Sequence, residues 1–157
     1  MVPVTYLEVH ALLLAPAVAA TAAAAGVRRS DGWARPLTVG IPLLTGLALA
    51  YTTPWDNYLV ARGVWWYGEG AVVGTLWHAP IEEYLFVAVQ SLLTGLWCAQ
   101  LSPPAAPSLR VAWRDRVLGA GAGAAVGLVG VALLATPATY YLGAILAWAG
   151  PVLALQW

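Results

Sequence analysis

The chain has 157 residues, 61% of them hydrophobic and only 9% charged, with a mean hydropathy of +0.76. A water-soluble domain of that make-up would expose very large apolar patches, so the composition defines an integral membrane protein. Seven basic and seven acidic residues balance to zero and no lysine is present, so no basic surface for nucleic acid is expected.

The first apolar run, Pro3 to Ala25, is long enough for a bilayer core of roughly 30 Å, which takes about 20 helical residues. No basic residue precedes Arg28, unlike the start of a cleaved signal peptide, so a retained helix is expected. Glu8 and His10 fall in its first turns, where a snorkelling acid and an interfacial imidazole are the simplest reading. A connector with Arg28, Arg29, Asp31 and Arg35 leads to a second run, Pro36 to about Thr53. The long connector Pro54 to Ala79 precedes a third run, Pro80 to Leu101. A proline-rich turn with Arg110, Arg114 and Arg116 leads to Val117–Ala135, and a short Thr136-Pro137 turn leads to Thr139–Trp157.

The expected fold class is therefore all-α, a polytopic bundle of about five transmembrane helices in a multi-pass cell-membrane protein. The two arginine-bearing connectors are two crossings apart and share one side, predicted to be cytoplasmic. The N-terminus and the Pro54–Ala79 connector then face outward, and Glu8, Asp56, Glu69, Glu82 and Glu83 gather near the outer leaflet. Asp31 and Asp115 each sit beside arginines, where a local ion pair suffices. Cys98 is the single cysteine and lies in an apolar run, which suits packing rather than a disulfide or thiolate metal site. The glycine-rich run from Gly119 to Gly127 lacks dinucleotide-loop spacing and a preceding strand. Gly123 and Gly127 instead have the small-xxx-small spacing that lets membrane helices approach closely.

The chemistry-bearing residues concentrate between Pro54 and Gln90. Pro80-Ile81-Glu82-Glu83 is a helix start, because proline and first-turn carboxylates both suit a helix N-terminus. Two acids heading an apolar spanning helix are also costly, which makes them functional candidates. Neighbouring carboxyls in an apolar site do not both ionise cheaply, so one is expected to hold its proton beside an acceptor, an acid/base pair. Gln90 follows Glu83 by about two turns, on nearly the same face. Trp55, Trp65, Trp66, Tyr67, Trp77 and Tyr84 could stabilise a cation through their ring faces, at roughly 0.5–2 kcal/mol per ring, or could be ordinary interfacial aromatics. His78 and Glu82 have i, i+4 metal-ligand spacing, but Pro80 intervenes and no third ligand is apparent. Intramembrane CAAX-type proteases also carry Glu-Glu at a helix start, with an arginine further along; the sequence around Val87 has none.

Thr53-Pro54-Trp55-Asp56-Asn57-Tyr58, Gly63-Val64-Trp65 with Tyr67, and Pro80-x-Glu82-Glu83-x-x-Phe86 with Gln90 together resemble the lycopene cyclase domain of the integral-membrane carotenoid cyclases of archaea, actinobacteria and fungi. The resemblance spans a first three-helix unit, residues 1–101, with 117–157 resembling part of a second unit in an inverted repeat. It implies redox-neutral, acid/base-catalysed cyclisation of the open ends of lycopene to β-ionone rings, giving β-carotene, a precursor of retinal, with no cofactor and no flavin. It also implies catalytic roles for Glu82, Glu83 and Asp56, and substrate contacts from Asn57, Trp55, Trp65, Tyr67 and Gln90. The expected partners are membrane lipid and lycopene. The uncharged end at Gln156-Trp157 predicts that further helices or a second subunit complete the site. A cyclase of C50 carotenoids, or a non-catalytic carotenoid-binding or assembly subunit, are the alternatives.

Overall fold

Prolines shape the first two spanning helices. In a computed structural model describing residues 4–28, 36–101 and 111–157, α1 (Tyr6–Val9), a π-helical turn His10–Leu14 and α2 (Ala15–Arg28) form one continuous rod. Pro16 has no N–H for the Leu12 carbonyl, and its ring crowds that carbonyl, so the backbone widens there into π geometry. Pro42 has the same effect on the π turn Pro36–Gly40, which runs into α3 (Ile41–Ala61). The connector residues Arg29, Asp31, Arg35 and Arg110 lie outside the described residues, as does the side chain of Arg28.

The second helix does not stop at Thr53, as the proline after it suggested. α3 continues through Pro54 to Ala61, so Trp55, Asp56 and Asn57 are helical rather than part of a connector. Membrane helices tolerate an internal proline when neighbouring groups satisfy the freed backbone. The true stop is Gly63, at φ 65°. Its N–H donates to the Val60 carbonyl and that of Val64 to the Leu59 carbonyl, the paired bonds of a Schellman end, which needs a left-handed residue.

A connector then folds back through a two-stranded antiparallel ribbon, β1 (Thr75–Leu76) and β2 (Ala79–Pro80), with Thr75 opposite Pro80 and Leu76 opposite Ala79. α4 (Ile81–Cys98) follows immediately. The start of α1, the end of α3 and the start of α4 therefore meet at one end of this first unit, Met1–Pro104. The second unit, Ala105–Trp157, is an antiparallel pair, α5 (Trp113–Leu133) and α6 (Tyr140–Leu155), joined through a 3-10 turn at Pro137–Thr139. Helix α5 begins ahead of Val117 and takes Arg114, Asp115 and Arg116 into its first turn.

Among the described residues, four helical stretches are long and apolar enough to cross a membrane: Tyr6–Gly26, Leu37–Ala61, Trp113–Leu133 and Pro137–Leu155. α4 has 18 residues, about 27 Å at 1.5 Å per residue, but Glu82, Glu83 and Gln90 dilute its apolar character. Burial is inverted relative to a soluble protein. Leu12, Leu13, Leu43, Leu47, Leu128 and Val131 face outward, while His10, Asn57, Glu82 and Ser91 are buried. Lipid solvates the first set; the second must find partners inside.

Candidate active site

Glu82 and Glu83 occupy the first turn of α4, and the connector before it decides their surroundings. The Ile81 N–H donates to the Gly74 carbonyl at 3.0 Å, tying the helix start to the ribbon. One residue earlier, the Val73 N–H donates to Oε1 of Glu82 at 2.6 Å. Glu82 is 2% exposed, and its Oε2 makes no hydrogen bond among the described residues. A buried polar atom left so costs about 1–3 kcal/mol, which makes Glu82 a carboxyl with one oxygen anchored and one available.

Glu83 is half-buried and differently engaged. Its Oε1 accepts from the hydroxyl of Tyr6, on α1, and from that of Tyr67, in the connector, each at 3.0 Å. The rings of Tyr6 and Tyr67 lie 6.0 Å apart. The Tyr67 phenol is pushed far above the usual tyrosine range, first by burial, then by the charge and hydrogen bond of Glu83, with Tyr6 and Asp56 adding to the effect. Tyr67 is thus a fixed donor, and Asp56 lies close enough for its charge to be felt there.

Asn57 serves the scaffold with every hydrogen-bonding valence it has. Its Nδ2 donates to the Thr53 carbonyl at 2.8 Å and to the Tyr84 hydroxyl at 2.9 Å. Its Oδ1 accepts from the N–H groups of His78 and Ala79, at 2.7 and 3.0 Å. Tyr84 in turn donates to the Leu76 carbonyl at 2.8 Å. These bonds hold the two-residue turn Trp77-His78, where Trp77 sits at φ 59°. A bulky side chain in that region is strained and persists only where surrounding bonds over-determine it. Two donors and two acceptor sites are all an amide side chain offers, so Asn57 fixes the approach to α4.

The other expected site residues are spread out. Trp55 stacks on Tyr58, centroids 6.4 Å apart, and the Arg62 guanidinium lies 6.0 Å from the same Tyr58 ring. Trp65 is half-buried in the connector. Gln90, three turns into α4, lines a cavity of about 240 Å³ with Leu44, Thr52 and Ser91. His78 is exposed in the ribbon turn rather than on the helix with Glu82. Among the described residues, no three of His, Cys, Asp and Glu are grouped as a metal site would need.

Tyr6 escaped the sequence reading altogether. It lies 77 positions from Glu83, and a tyrosine near the start of a spanning helix is usually interfacial. The only local sign is the capping box built by Thr5 and Glu8, which fixes where the helix begins and hence which way Tyr6 points.

Together these features define a polytopic α-helical membrane protein with a part-buried acid–phenol cluster at one end of the helices of its first unit. No protein-family model matches the chain, and no solved structure matches it. Curated relatives do. The chain is 57% identical over 146 residues to lycopene beta-cyclase of Halobacterium salinarum, covering 92% of this chain and 62% of that protein. It is 40% identical over 113 residues to a bifunctional lycopene cyclase/phytoene synthase of Podospora anserina, covering 64% of this chain and 19% of the relative. A protein of the same name from Sporisorium reilianum is 43% identical over 67 residues, 43% of this chain and 10% of the relative. The chain belongs to the lycopene cyclase family, and it spans about three-fifths of the length of the halobacterial relative.

Proposed function

We propose that this protein closes the open ends of lycopene into β-ionone rings within the membrane, as an isomerase-type intramolecular lyase making β-carotene. Beyond the kinship with lycopene beta-cyclases, the carrying observation is the unequal engagement of two adjacent carboxyls. Glu82 has a buried oxygen with no partner among the described residues, whereas Glu83 accepts two phenolic hydrogen bonds. Glu82 is suited to deliver a proton to the terminal alkene. Glu83, with Asp56 behind it, supplies negative potential toward the resulting cation, and Tyr67 with Tyr6 holds it in place. Proton addition gives a tertiary cation, the next double bond attacks it to form the ring, and loss of one proton restores neutrality. No electron is gained or lost.

In this reading the arginine-bearing connectors face the cytoplasm of a cell membrane and the acid cluster lies toward the opposite leaflet. Residues 1–101 act as one three-helix unit of an inverted repeat and 117–157 as part of the other. Further helices or a second subunit complete the assembly.

The test is pigment analysis of membranes from lycopene-producing cells expressing the parent, Glu82→Gln and Glu83→Gln at equal abundance. Ring formation by the parent and its loss in Glu82→Gln is the expected result. Unconverted lycopene co-purifying with the parent would replace the cyclase reading with a carotenoid-binding one.

A further inference from the structure

His10 is buried, at 6% exposure, and opens the π turn of the first rod, an irregularity frequent at functional sites. Its Nδ1 lies 2.8 Å from the Tyr6 carbonyl. A carbonyl only accepts, so Nδ1 carries the hydrogen and the neutral ring keeps its lone pair on Nε2. That Nε2 is shielded from solvent and makes no hydrogen bond among the described residues. The ring is held edge-on by Tyr6 and Phe86, with centroids 5.6 and 6.1 Å away. Both contacts lead to the acid cluster. Tyr6 donates to Glu83, and Phe86 is one helical turn beyond Glu82 on the same face of α4.

The imidazole is also part of the wall of a groove of about 450 Å³ between the first rod and α4. The remaining lining, including Leu7, Leu14, Val18, Leu85 and Val89, is hydrocarbon, and among the described residues His10 is its one polar side chain. The volume is in the range of small-molecule sites, roughly 300–1,000 Å³.

The geometry points to this groove as the seat of an open end of the linear carotenoid, and to His10 Nε2 as the base that takes the proton released at ring closure. The inference rests on the cyclase reading. The closing ring carries a tertiary cation. An adjacent C–H bond breaks, its electron pair becomes the ring double bond, and the proton forms a bond to Nε2. One proton enters from Glu82 and one leaves to His10, so the carotenoid is isomerised without oxidation. Return of that proton from imidazolium to carboxylate resets both groups. A base shut away from water suits this step, because water would trap the cation as an alcohol.

A C–H bond beside a carbocation is already strongly acidic, so loss of the base changes where the proton leaves more than how fast the ring closes. The experiment is product analysis on the full-length protein in lycopene-containing membranes, with His10→Gln and Ala11→Trp at parental abundance. Gln can still donate to the Tyr6 carbonyl but has no basic nitrogen. Ala11 lines the groove from an exposed position, and a tryptophan there fills it without touching that hydrogen bond. The expected result for His10→Gln is about a tenfold rise in rings with a displaced double bond or an added hydroxyl, reversed by imidazole in the medium. Ala11→Trp is expected to slow conversion by a similar factor. An unchanged ring isomer and rate in His10→Gln would overturn the base assignment. Unchanged conversion in Ala11→Trp would give the groove to lipid or a neighbouring helix. If His10→Gln does not accumulate, His10→Asn assayed with and without imidazole decides the matter. A parent that forms no ring at all removes the cyclase reading itself, a result distinct from either variant's.

Discussion

The two units solve the same problem, holding helices together where lipid is as apolar as their own side chains, by different means. In the second unit α5 and α6 meet backbone to backbone. Gly123 packs on Ala154, Gly127 on Gly150 and Gly130 on Ala147, and no Asp, Glu, Lys, Arg or His occurs after Arg116. In the first unit the helix ends are joined by side-chain hydrogen bonds: Tyr6 to Glu83, Tyr67 to Glu83, Asn57 to Tyr84 and to the ribbon. Close packing gives a pair whose contact carries no ionisable group. Polar bridging leaves buried functional groups, and those are what chemistry inside a bilayer requires.

The sharpest way to break the comparison is to remove the available acid. Glu82→Gln keeps the volume and an acceptor for the Val73 N–H, yet it should lower ring formation about 100-fold or more, the scale of general acid catalysis, with the protein still at parental abundance. Asn57→Leu attacks the bridging instead. It leaves the N–H groups of His78 and Ala79 without their acceptor, at about 1–3 kcal/mol for each group left buried, and should lower both thermal stability in detergent and turnover. In the second unit, Gly130→Leu forces a side chain against the Ala147 backbone and should cost about 1–3 kcal/mol by overpacking. A thermal melt reads the loss, and an unshifted melt would mean that this contact does not hold the pair.

The smallest effect is expected at Tyr67. Tyr67→Phe removes one of two donors to Glu83, and because Tyr6 remains to hold the carboxylate the loss should be about 0.5–1 kcal/mol, the low end for a single hydrogen bond. The raised Tyr67 phenol also fixes a sign. A group whose folded value exceeds its unfolded value contributes below the unfolded value, near 10, and that contribution is lost as pH rises past the folded one. The pH–rate profile of the parent should therefore show no limb from Tyr67 below about pH 10. A limb near pH 9 that disappears in Tyr67→Phe would contradict the buried, donor-only role.

Much of this was legible in the chain itself. Five apolar runs dictate spanning helices because lipid leaves backbone polar groups no other way to be satisfied. Pro80 before Glu82 and Glu83 marks a helix start through local backbone chemistry alone. The small-residue spacing of Gly123 and Gly127 likewise announces close packing. Local rules also misled at helix ends: Pro54 suggested one, but the end is set by Gly63, whose left-handed backbone closes α3 eight residues after Trp55. What only the tertiary structure decided is the division of labour around the acids. Glu82 and Glu83 are adjacent and chemically identical, so their difference comes entirely from what other segments bring: the Val73 N–H to one, and the phenols of Tyr6 and Tyr67 to the other. The same holds for His10, whose Nδ1 bond is local but whose place in a groove wall beside Phe86 comes from helix packing. Side-chain type is written in the sequence; the partner that leaves one oxygen or nitrogen free is a property of segments far apart in the chain and close in space.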